Sequence, residues 1–65
     1  MNAKKLKTKI IENKLTVTIV ANQIGISGSS LYRKLRGDDQ ITVYEAYMLK
    51  SILHMTNLEA LEIFL

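Results

Sequence analysis

Residues 15–37 read LTVTIVANQIGISGSSLYRKLRG, and the fold turns on how this stretch is read. On propensity alone LTVTIV is β-branched and suits a strand. Its alternation is imperfect, however, and no partner strand is in view. Val20, Ala21 and Ile24 recur instead at helical spacing, so a helix over Val17 to Ile24 is expected, with Thr16 as its N-cap. Gly25 falls where a left-handed residue usually ends a helix. Ser27 then caps a second helix over 28–36, whose Leu31 and Leu35 lie four apart and face inward with Ile26. Gly28, Ser29 and Ser30 are weak helix formers that a first turn tolerates. Gly37 closes this helix. The small side chain of Ala21 lets the two helices cross closely. Ser29, Tyr32, Arg33 and Arg36 are left pointing away from the core.

Working outward, Asn2 is the N-cap of a first helix over about 3–13, with Leu6 and Ile10 as its buried stripe and Ile11 flanking them. Downstream of a polar Asp38-Asp39-Gln40 loop, TVYE and TNLE each spell a capping box, Thr42 with Glu45 and Thr56 with Glu59. They announce a fourth helix over about 43–53, burying Ala46, Leu49, Ile52 and Leu53. A fifth over about 57–64 offers Leu58, Leu61 and Phe64 or Leu65 to the core. Tyr44 and Tyr47 are expected to be half-buried core, and His54 a last-turn helix residue. The reading is an all-α bundle of five short helices, a single domain over residues 1–65.

Composition bounds the function. There is no Cys, one His and no Pro among the 65 residues, so neither a disulfide framework nor a thiolate metal site is available. The three Met residues carry no cofactor meaning, and no cofactor or metal is expected. No apolar run approaches the ~20 residues of a membrane helix. Asp38 and Asp39 have no neighbours in sequence that would complete a catalytic or metal site. No nucleophile–base pair is visible, and an enzyme is not expected. The formal charge of +3 hides an asymmetry: residues 1–36 carry eight basic side chains against Glu12 alone, while 37–65 carry Lys50 against five acids. A polyanion is attracted to the first half and repelled by the second.

With these residues in place, LTVTIVANQIGISGSSLYRKLRG resembles the helix-turn-helix of the phage repressor and Cro family, also called lambda-repressor-like or XRE. The likeness extends over the Lys-rich first helix and the two capped helices that follow. It implies a sequence-specific double-stranded DNA-binding transcription regulator of the Cro-like repressor kind. The helix of about 28–36 would lie in the major groove, working in a bacterial cytoplasm or a phage-infected host. It also implies a DNA-contact set of Thr18, Ser27, Gly28, Ser29, Ser30, Tyr32, Arg33, Lys34 and Arg36. Thr18 would touch phosphate, Arg33 a base, since Arg suits a bidentate bond to guanine, and Lys34 the DNA backbone. Gly28, without a side chain, reads no base directly. Lys34 stands where familiar members carry a buried Leu, with Leu35 expected to take over that packing.

A chain this small buries too little for tight selective binding alone, so a homodimer on a palindromic operator is expected. Ile63, Phe64 and Leu65 are consecutive apolar residues. With Phe64 turned inward beside Leu61, Ile63 or Leu65 remains outside as a dimer or partner contact. The alternative is a protein-interaction module on the same fold, such as an antirepressor that binds a larger repressor. A gel shift separates the two.

Overall fold

Every helix of the protein starts on a side-chain oxygen that accepts from the backbone. In the computed structural model, which describes residues 1–65, α1 spans Ala3–Glu12, α2 Val17–Gln23, α3 Gly28–Arg36, α4 Val43–Ile52 and α5 Asn57–Phe64, with no strand. Asn2 accepts from the Lys5 amide at 3.1 Å, Thr16 from Ile19 at 3.2 Å and Ser27 from Ser30 at 3.0 Å. Both capping boxes close: the Glu45 amide donates to Thr42 Oγ1 at 3.1 Å and the Thr42 amide to Glu45 Oε1 at 2.9 Å. Thr56 and Glu59 repeat the same two distances. A cap contributes about 1 kcal/mol, a sizeable share of what a domain of this size has to spare.

The first four helices end alike. Gly25 and Gly37 have φ of +84° and +88°, and Lys14 and His54 take the same left-handed conformation at +58° and +54°. At each, the amide of the left-handed residue and the next one donate back into the last turn. Examples are Gly25 to the Asn22 carbonyl at 3.2 Å with Ile26 to Ala21 at 3.0 Å, and Lys14 to Ile11 at 2.8 Å with Leu15 to Ile10 at 3.1 Å. This double bond pattern satisfies carbonyls a helix end leaves orphaned, and an apolar residue often follows it inward. Leu15, Ile26 and Met55 do so. Met55 is therefore core, and His54 lies in the turn beyond α4 instead of in its last turn.

Leu6 and Ile10 of α1, Val20, Ala21 and Ile24 around α2, and Leu31 and Leu35 of α3 meet Leu49, Leu53, Met55 and Ile63 in one core. From Val17 onward LTVTIV is helical, because Val20, Ala21 and Ile24 are all buried and share one side only at helical spacing. Several side chains differ from expectation. Ile11, Tyr44 and Tyr47 are exposed, and Ala46 and Ile52 are only half-buried. On α5 the faces are exchanged: Ile63, expected at an interface, is 2% exposed and belongs to the core, while Leu58 and Leu61 are 65% and 53% exposed. Ile63 enters because its carbonyl accepts from the Asn2 amide at 2.6 Å, which draws that side of α5 against the start of α1. Leu65 does remain outside.

Candidate nucleic-acid interface

The α2–α3 junction is set by two small residues. Ala21 is fully buried under the turn. At the other end of α2, a Cβ placed on Gly28 would lie 3.1 Å from Thr18 Oγ1 and 3.6 Å from Thr18 Cα. Gly28 is thus a packing residue at the crossing: any side chain there must push Thr18 aside. It is half-buried, and Thr18 covers it while its own outer side meets solvent.

From that crossing α3 runs outward-facing along one side. Ser29, Tyr32, Arg33 and Arg36 are all exposed, at the i, i+3, i+4 and i+7 positions of one helical face. Ser27 is exposed but spends its hydroxyl oxygen on the Ser30 amide, and Ser30 is half-buried. Arg33 makes no ion pair. The Arg36 guanidinium lies 2.9 Å from the Asp38 carboxylate, with both side chains more than half exposed. Such a pair contributes little and opens easily.

Lys34 corrects the sequence reading. It was expected to face a DNA backbone; its side chain is 8% exposed and its amine turns into the molecule. It donates to the Gln40 carbonyl at 2.9 Å and lies 3.2 Å from Glu45 Oε1 and 3.8 Å from Asp39. Leu31 and Leu35 set the inward face of α3, and Lys34 occupies its margin, where only a paired charge can be buried. The amine joins the loop after α3 to the first turn of α4. Burial pushes the Glu45 carboxyl up, but the Thr42 amide and the Lys34 amine outweigh it and hold Glu45 below the usual carboxylate value.

The remaining basic side chains divide into two sets. Lys5 pairs with Glu62, and Lys9 with Glu59 at 2.8 Å. Hydrogen bonding to Lys9, helped by the Thr56 amide, lowers the Glu59 carboxyl, and Glu59 in turn raises the Lys9 amine. Lys4, Lys7, Lys14, Arg33 and Lys50 have no acidic partner. Four of these five free cations precede residue 37, while the acids Asp38, Asp39, Glu45, Glu59 and Glu62 of the second half are each paired with a basic side chain of the first, so the charge asymmetry along the chain is largely neutralised in space. Lys14 was not among the expected contacts. It stands in the turn just before α2, and its left-handed backbone gives no sequence signal.

The outward face of α3 offers hydroxyls and a free guanidinium, groups suited to donating hydrogen bonds to phosphate oxygens and base edges. No family model, curated protein or solved structure matches this chain.

Proposed function

We propose that this protein is a sequence-specific double-stranded DNA-binding transcription regulator of the Cro-like kind, with α3 in the major groove. The carrying observation is the outward face of α3: an unpaired Arg33 set among Ser29 and Tyr32 on a helix fixed by its crossing with α2. The resemblance of residues 15–37 to the phage repressor and Cro family, and the free lysines of the first half, support the same reading. In this division of labour Arg33 reads a base, while Thr18, Tyr32, Arg36 and the free lysines hold phosphates. Lys34 acts from behind, as a strut. Two copies on a two-fold operator would place their half-sites about one turn, ~34 Å, apart.

Selection from a random duplex pool tests this. A two-fold site should be enriched, and Arg33→Ala should weaken binding to it by about 1–3 kcal/mol while relaxing preference at one base pair. Equal loss on selected and random DNA would move Arg33 to the phosphate set. A pool that yields no preferred site would overturn the reading.

A further inference from the structure

The two most exposed large apolar side chains of the protein stand at one groove. Val43 and Leu65 are 89% and 93% exposed. Both line a groove of about 650 Å³, whose deeper wall is formed by the buried Leu35 and the half-buried Ile41, Ala46 and Phe64. That volume falls within the roughly 300–1,000 Å³ of small-molecule sites, which are concave, mainly apolar and furnished with few polar groups.

The lining is charged at one end only. Its charged side chains, Lys34, Arg36 and Asp39, all come from the end of α3 and the loop after it. The walls supplied by α1, α4 and α5 contribute apolar side chains alone: Ala3, Val43, Ala46 and Phe64. A groove with one charged and one apolar end suits a linear amphiphile.

The sign of the charged end chooses the head group. Lys34 is spent inside the fold on the Gln40 carbonyl and Glu45, and Asp39 on the Lys34 amine and the Gln40 amide. The Met1 amino group and the Leu65 carboxyl group bring opposite charges to the same groove and cancel. Arg36 is left. Its acid, Asp38, lies outside the lining, and the two side chains are 65% and 58% exposed, so the pair opens easily. A carboxylate arriving with an apolar tail can replace Asp38 and take two parallel N–H bonds from the guanidinium. An ammonium head would meet a like charge there.

We propose that the groove binds a small amphipathic carboxylate of the medium-chain fatty-acid kind, its head on Arg36 and its tail along Ile41, Val43 and Phe64. The tail then covers apolar surface that nothing in the fold covers. Binding itself does not depend on DNA. Its regulatory consequence rests on the DNA-binding reading: a carboxylate on Arg36 takes away a phosphate contact, so the ligand loosens the protein from its operator.

The test is titration of the full chain with octanoate to about 10 mM, followed by backbone amide chemical shifts. Saturable shifts should gather at residues 34–46 and 64–65. Hexanoate should bind more weakly and decanoate more tightly, by roughly two- to fourfold for each methylene. Acetate, a head without a tail, should not saturate, and octylammonium should bind more weakly than octanoate. Arg36→Gln should weaken octanoate binding about fivefold and leave octanol binding unchanged. Val43→Gln, at a side chain too exposed to disturb the fold, should weaken both. Shifts centred elsewhere, or no saturation, would overturn the proposal. So would an Arg36→Gln variant that binds octanoate as the parent does, or octylammonium that binds as tightly as octanoate. On the selected DNA site, octanoate should weaken the parent by up to about fivefold relative to acetate at equal concentration. Val43→Gln, which keeps Arg36, should respond less. A chain that binds octanoate and prefers no DNA sequence would sink the DNA reading and leave the groove site standing.

Discussion

Lys34 is where one side chain holds a junction together. Its amine serves the Gln40 carbonyl and the Glu45 carboxylate at once, and Glu45 also caps α4 through the Thr42 amide. Removing only the lysine leaves that carboxylate buried with half its partners gone. Lys34→Met should therefore destabilise the domain by about 3 kcal/mol in urea denaturation, and adding Glu45→Gln should restore part of the loss. If the single variant unfolds at the parent's midpoint, the ion pair is not holding the junction. In sequence the residue was legible as basic and as neighbour to Leu35, but not as buried. Its acidic partner lies on the next helix and already explains itself as half of a capping box, so nothing local announces a second role. Arg33, with no partner at all, is read the same way from sequence and structure. Ile63 and Leu58 were misplaced for a different reason, which belongs to their helix.

At the scale of the element, beginnings were legible and faces were not. Asn2, Thr16, Ser27, Thr42 and Thr56 each cap the helix expected of them, because a cap is a local bond between residues three apart. Endings were legible at Gly25 and Gly37 and hidden at Lys14 and His54, where the same left-handed turn is made without glycine. Faces depend on what lies opposite. α5 carries apolar residues on more than one side, so periodicity cannot choose between Ile63 and the Leu58–Leu61 side. A hydrogen bond from Asn2, distant in sequence, makes the choice. The two capping acids also predict a pH response. Glu45 and Glu59 both titrate below their ordinary value in the folded protein. They contribute stability above the unfolded value of about 4.3, and that contribution is lost as pH falls through the lower folded values. Melting temperature should accordingly drop on acidification below about pH 4.3. Glu45→Gln with Glu59→Gln, which keeps an acceptor for each amide, should flatten that drop. An equally steep fall in the double variant would assign the acid sensitivity to other carboxylates.

Across the whole molecule, the basic side chains divide into free ones and ones paired within the fold. The free cations Lys4, Lys7, Lys14 and Arg33 belong to the first half, and the unpartnered leucines to the last helix. This yields a contrast among lysines that look alike in sequence. Each phosphate neutralised adds roughly −0.9 to the slope of log K against log salt. Replacing Lys4, Lys7 or Lys14 by Ala should flatten the slope by about that amount wherever the residue meets DNA, leaving the preferred sequence alone. Lys5→Ala should leave the slope unchanged, because Glu62 already holds that charge. A titration in which Lys5 and Lys7 count equally would show that the internal pairs do not survive on DNA.

The bond from the Asn2 amide to the Ile63 carbonyl, and the shared place of Met1 and Leu65 in one groove, mean that residues 1 and 65 are neighbours. Topologically the path of the backbone is a ring with one link open. A bridge of a few Gly and Ser residues, reaching about 5–6 Å times the square root of its length, would close that link. New ends could then be cut in the exposed Asp38–Asp39 turn. The bridge would lie across the mouth of the groove, and the permuted chain would keep its helices. An affinity tag fused at residue 1 or 65 would sit at the same mouth and cover the groove.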